Sequence, residues 1–160
     1  MSAIALMAGG ICATVVGVGL YERLRQAHAP IALLALVAMT VGVIGSVIHG
    51  GYDLATALHP SSGGGDGAAL NAVDPRGLLT FGVTGLGIAL WAWLIARSAT
   101  LPKGLAFLGY LSAALSIVLY LGRLIIFTAT SPVILGPALL EGFLVSPVWY
   151  LWLGIALRKS

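Results

Sequence analysis

Charge is what this chain has least of. Only 8% of its 160 residues are Asp, Glu, Lys or Arg, about a third of the roughly 25% usual in soluble domains. Hydrophobic residues make up 59% and the mean hydropathy is +1.05, which excludes a water-soluble globule, a disordered segment and a coiled coil. Eight Lys/Arg against five Asp/Glu leave a net charge of +3, too thin a positive surface for a nucleic-acid partner. The one cysteine, Cys12, stands inside an apolar run, so neither a disulfide framework nor a zinc cluster can be built. Histidine is scarce as well, and no Ser-His-Asp set, Gly-rich phosphate loop or dinucleotide fingerprint stands in a suitable context. No cofactor class is therefore readable.

What the chain has instead is long uncharged runs. Residues 1–21 contain no charged side chain, and about twenty apolar residues rising 1.5 Å each cover the roughly 30 Å hydrocarbon core. A secretory signal is the competing reading, because Ala27-His28-Ala29 has the small-x-small form of a cleavage site. It lacks a positive n-region, however, and Glu22, Arg23 and Arg25 intervene before the site while Pro30 follows it. Further spans are predicted at about residues 30–58, 77–96, 105–127 and 132–157. The expected fold is all-α, a single integral membrane bundle of five transmembrane helices over residues 1–160. Its turns carry Pro102 and Pro132, prolines placed where a helix can begin without losing a hydrogen bond. Residues 59–76, rich in Gly, Ser and Pro, read as a flexible outer loop.

Sorting the basic residues by loop orients the bundle. Arg23, Arg25, Arg97, Lys103, Arg158 and Lys159 fall on one side, and Asp66, Asp74 and Arg76 on the other. The positive-inside rule then predicts an outer N-terminus and a cytoplasmic C-terminus. Trp91, Trp93, Trp149 and Trp152, with Tyr21 and Tyr110, are expected in the cytoplasmic interfacial belt. Small residues at i, i+4 spacing mark helix contacts: Ala13 and Gly17, then Gly42, Ser46 and Gly50, then Gly82, Gly85 and Ala89. Pro137 and Pro147 are expected to kink the last span.

Few ionisable groups lie at membrane depth. They are His49 and Asp53 on the second span, Arg123 on the fourth and Glu141 on the fifth. An unpaired charge there costs on the order of 2.5–3.5 kcal/mol. Counting 1.5 Å per residue from the span ends puts Arg123 and Glu141 within roughly 6 Å of each other in depth, which predicts an Arg123–Glu141 ion pair. Ser116, Tyr120 and Arg123 form a polar stripe by i, i+4, i+7 spacing. The expected arrangement is one outer-leaflet cluster of His49, Asp53, Tyr120, Arg123 and Glu141, rimmed by Asp74 and Arg76. It serves either as an internal staple or as a ligand-binding or proton-transfer site.

Four segments carry a family resemblance. Asp74-Pro-Arg-Gly-Leu-Leu-Thr-Phe-Gly, Leu101-Pro-Lys-Gly-Leu, Tyr120-Leu-Gly-Arg-Leu and Ser146-Pro-Val-Trp-Tyr-Leu-Trp-Leu-Gly154 resemble small bacterial polytopic membrane proteins grouped as a domain of unknown function. The resemblance runs from Asp74 to Arg158, about half the chain. It implies a bundle in the bacterial inner membrane and a recurrent pattern of Asp74, Arg76, Tyr120 and Arg123. It also implies one N-terminal span more than is read here, and it carries no activity.

The leading functional expectation is a non-enzymatic membrane protein, with the lipid bilayer as its surroundings. It acts as an accessory subunit of a larger membrane assembly or as a binder of a lipophilic small molecule. The alternative is an intramembrane metal-dependent hydrolase using His49, Asp53 and Glu141, since an H-x3-D spacing can put two ligands on one helical face. Solute or proton transport through the buried charges is the third reading. Haem is excluded, because His28 and His59 fall near loops on opposite sides.

Overall fold

The computed structural model describes residues 2–59, 67–126 and 131–158, and all regular structure among them is helical. The helical stretch Ser2–Leu58 is broken at His28, whose φ of −165° and ψ of 89° are extended. Pro30 explains the break: it has no N–H to donate, and its ring would strike the carbonyl four residues back. His28 then closes the new helix start, accepting the Ile31 N–H on its Nδ1 at 3.4 Å in the manner of an N-cap. The two limbs are α1, residues 2–27, and α2, residues 29–58. The turn expected over residues 22–29 is thus a single extended residue.

The limbs lie side by side. Gly50 abuts Ala3 and Met7, Gly10 abuts Val43 and Val47, and Gly17 abuts Leu36 and Met39. Positions rise along one limb as they fall along the other, which is the register of an antiparallel hairpin. Glycine and alanine at these contacts let the backbones approach.

A short helix, α3, spans Gly67–Val73 inside the segment expected to be a flexible loop. Ala68, Ala69, Leu70 and Ala72 are strong helix formers, and they outweigh the Gly/Ser run before them, which lies in residues 60–66, outside the described residues. Wide π-helical turns over Leu78–Val83 lead into α4, Thr84–Arg97. Next comes α5, Lys103–Ile126, so Phe127 of the expected fourth span and most of the following turn lie outside the described residues. The last stretch is α6, Pro132–Leu140, a second wide turn at Glu141–Val145, and α7, Ser146–Arg158.

Helix α4 is the centre of the bundle, packed between α2 and α5. Its contact with α2 is backbone-close: Gly42 faces Thr84, Gly45 faces Thr80, and a Cβ on Gly87 would lie 2.9 Å from the Met39 backbone nitrogen. Its other side gives Gly82 to the Tyr120 ring and Gly85 to Ser116 and Ile117 of α5. The small-residue stripes read from the sequence are therefore contacts.

Two of the four tryptophans correct the expected belt. Trp91 and Trp149 are fully buried in the core with Leu20, Leu24, Ile95, Leu105 and Leu153. Trp149 can leave the interface because its indole N–H donates to the Leu105 carbonyl at 2.9 Å, and Gly109 makes room for the ring. Trp93 stays at the end of the bundle, edge-on to His28 and beneath the Arg97 guanidinium at 4.2 Å.

The outward surface is apolar, with Phe107, Ile125, Phe143 and Leu151 each at least 70% exposed. Four helical stretches, Ala3–Leu58, Pro75–Arg97, Lys103–Ile126 and Pro132–Arg158, are long and apolar enough to cross a membrane. A surface of this kind suits a lipid surrounding.

The glycine contacts give a direct test. Gly87→Val should lower stability by about 1–3 kcal/mol, since backbone rather than a flexible side chain blocks the new atoms. Gly136→Ala, where an added Cβ meets nothing within 4 Å, should not lower the unfolding midpoint in detergent.

Candidate functional site

Among the described residues, Asp74 is the side chain with the most hydrogen-bond partners, four of them. It is 1% exposed and precedes the helical stretch that begins at Pro75. Arg76 and Gly77 both take positive φ, 57° and 79°, which folds the chain back so that Asp74 overhangs the amides that open the next helix. Its Oδ1 accepts the Leu79 N–H at 2.7 Å. Its Oδ2 accepts the Thr80 N–H at 3.2 Å and the Thr80 hydroxyl at 2.6 Å, and pairs with His49 Nε2 at 3.2 Å. Asn71 Oδ1 accepts the Arg76 N–H at 2.7 Å and so holds the left-handed residue. The carboxylate fills the positive end of a helix and ties α2 to α4.

Arg123 belongs to this end too. Its guanidinium lies 5.3 Å from the Phe81 ring centre, beside Gly77 and within the fields of Asp74 and Arg76.

Glu141 lies elsewhere. It is 8% exposed, on the wide turn between α6 and α7. Its Oε1 accepts the hydroxyls of Ser112 on α5 at 2.5 Å and Ser146 on α7 at 2.6 Å. Its Oε2 is buried without a hydrogen-bond partner among the described residues. The expected Arg123–Glu141 ion pair is not formed. Helices α5 and α6–α7 run antiparallel in a register set by packing: Gly122 meets Ile134, Gly109 meets Trp149 and Gly104 meets Trp152. That register puts Arg123 level with Val133, roughly two helical turns from Glu141. Counting from helix ends missed this because the ends are not level.

The single cluster thus resolves into two. His49, Asp74, Arg76 and Arg123 gather at one end, with Asp74 at the centre rather than on the rim. Tyr120 lies against Gly82 of the wide turns that lead into α4, so the Ser116–Tyr120–Arg123 stripe faces the third span instead of the second. Asp53 is exposed and joins neither group. The three residues of the metal alternative have separate surroundings: His49 is engaged by Asp74, Glu141 by two serines and Asp53 is exposed, and no metal-capable group of three His, Cys, Asp or Glu occurs among the described residues.

Beside Glu141 is a cavity of about 460 Å³ between α1, α2 and α7. Ala13, Val16, Met39 and Val43 form apolar walls, and Ser46, Thr84, Ser146 and Tyr150 bring polar groups to it. It opens at the bundle surface, where Leu6, Gly9 and Cys12 on its wall are exposed. Sequence reasoning missed Ser112 and Ser146 as partners of Glu141. The available signal was Pro147, which disfavours a regular turn over the residues just before it.

No protein-family model, curated protein or solved structure matches this chain.

Asp74 yields a prediction with a pH sign. Burial pushes its carboxyl up, but the Thr80 hydroxyl, the Leu79 and Thr80 amides and His49 together outweigh that and hold it below its ordinary value. The stabilisation is therefore full above the ordinary Asp value of about 3.9 and is lost as pH falls through the lower folded value. Asp74→Ala, which strands three donors, should cost about 2–4 kcal/mol at neutral pH. Asp74→Asn should shrink the acid-side fall of the unfolding midpoint.

Proposed function

We propose that this chain is a non-enzymatic polytopic membrane protein that crosses the bilayer five times and holds a lipophilic small molecule in the cavity between α1, α2 and α7. The cavity carries the reading. Its volume falls in the range of small-molecule sites, roughly 300–1,000 Å³, and its plan of apolar walls with a few convergent polar groups is theirs also. It lies at mid-depth, since Ala13 and Val43 stand near the middles of α1 and α2, so a guest would enter from the hydrocarbon.

The hairpin of α1 and α2, each limb long enough to span, supports a count of five crossings. An outer N-terminus is favoured by the basic residues. The turn at His28 touches Trp93, Arg97 covers the same ring, and Trp152 packs on Gly104. These contacts gather Arg23, Arg25, Arg97 and Lys103 at one end, which the positive-inside rule makes cytoplasmic. The resemblance to small bacterial polytopic proteins supports the bacterial inner membrane as that bilayer.

Two experiments test this reading. Protein purified in mild detergent and extracted with organic solvent should release a lipophilic compound in fixed ratio, detected by mass spectrometry. Gly9→Trp places a large side chain on the cavity wall at a position where an added Cβ meets nothing within 4 Å, and it should reduce that yield by about tenfold or more. Equal yields from both proteins would defeat the binding reading. For topology, single cysteines at Gln26 and Ala99, in a Cys12→Ala background, should react with an impermeant maleimide only from the cytoplasmic face, and one at Ala72 only from the outer face.

A further inference from the structure

We propose that Glu141 is a proton-binding site of the membrane interior, loaded from the cavity through the hydroxyl of Ser146. The inference goes beyond the lipophilic-binder reading and stands on the cavity's geometry, not on its occupancy.

The two oxygens of Glu141 are unequal. Oε1 holds both serine hydroxyls, whereas Oε2 is buried and has no partner among the described residues. A charge on the carboxyl would leave that oxygen bare in a low-dielectric interior, and an ionised group without partners is far costlier to bury than a neutral one. Among the described residues no cation pairs with it. On α5 the basic residues are Arg123, about eleven residues or roughly 16 Å above Ser112, and Lys103, about nine residues or roughly 13 Å below it. On the segment's own side the titratable group in electrostatic range is Tyr150, and across the cavity on α1 it is Cys12. Neither is cationic. Because Oε2 has no accessible surface, a proton is the one ligand that can occupy it while the bundle stays closed.

Ser146 supplies the route. Its hydroxyl donates to Oε1 at 2.6 Å, and the same residue stands on the cavity wall. A hydroxyl accepts and donates at once. A hydronium in the cavity can give a proton to the Ser146 oxygen and leave as water, while the proton already on that oxygen passes to Oε1; a half-turn of the carboxyl about Cγ–Cδ then carries the new O–H to the unpartnered side and returns the bare oxygen to the two serine hydroxyls. The carboxylate becomes a neutral acid and the serine is regenerated. Ser112, on the far side of the carboxyl, does not line the cavity and acts only to hold the group.

Infrared spectroscopy of the full chain in lipid nanodiscs reads this directly. Wild-type protein at neutral pH should show the carbonyl band of a protonated carboxylic acid, and Glu141→Gln should abolish it. Should that variant fail to fold, assignment rests on Ser112→Ala and Ser146→Ala, each of which removes a hydrogen bond from Oε1 and should move the band to higher frequency. Transfer to heavy water should shift the wild-type band, and Ser146→Ala should slow that shift by about tenfold while Ser112→Ala leaves its rate unchanged. Absence of the acid band at neutral pH, its persistence in Glu141→Gln, or equal exchange in both serine variants would overturn the proposal.

Discussion

Hydrocarbon offers no hydrogen bonds, so every polar group that enters the bundle must be answered by another part of the same chain. The helices answer their own backbone. What remains is a short inventory of side chains and helix ends, and two carboxyls handle it in opposite ways. Asp74 meets a whole set of needs at once, taking the amides of Leu79 and Thr80, the Thr80 hydroxyl and His49. A helix beginning near the membrane boundary leaves amides without intrahelical partners, and a buried acid positioned by two consecutive left-handed residues satisfies them from within. Glu141 meets few needs and has one of its own left open.

The reach of Asp74 depends on glycine some distance away. His49 is on α2 and Asp74 precedes α4, so their 3.2 Å contact exists only because α2 and α4 nearly touch. Gly42 and Gly45 face Thr84 and Thr80 with no space for a side chain, and Gly87 meets the backbone of Met39. Lipid gives apolar helices little reason to prefer one another over the bilayer, so close packing through small residues has to supply the association. Here the same packing also sets the polar geometry. Helix spacing and side-chain pairing are one constraint seen at two scales.

Much of this was legible from residue types alone. Apolar run lengths gave the helical membrane class, the prolines marked helix starts, and the small residues at four-residue spacing named contacts that do occur. Reading failed wherever the answer depended on the level of one helix against another. The Arg123–Glu141 pair was a depth argument counted from helix ends, but depth in an antiparallel pair is fixed by which bulges meet which gaps, as Gly122 meets Ile134. By its type Trp149 belongs at an interface; its burial depends on Gly109 and on the Leu105 carbonyl that accepts its indole N–H, and nothing in sequence joins those residues. Asp74 precedes the span and so looks like a rim residue in the sequence, and the left-handed turn at Arg76 and Gly77 that carries it inward has no periodic signature.

The pairing of Ser146 with Glu141 shows why a local irregularity can matter more than any motif. Five residues apart on a regular α-helix, two side chains diverge by roughly 140° about the axis, and neither could serve the other. Over Glu141–Val145 the chain widens to i→i+5 bonding, with the Ser146 N–H reaching the Glu141 carbonyl, and one wide turn returns the fifth residue to the side of the first. Pro147 makes the widening favourable, because a tight turn would press its ring against the carbonyl four residues back. Such turns recur at functional sites in helices, and here the physical reason is visible. The proline forces a turn that a helix would otherwise avoid, and that turn joins a buried acid to a hydroxyl on the cavity wall. Without it, Glu141 would keep one serine and have no link to the cavity through Ser146.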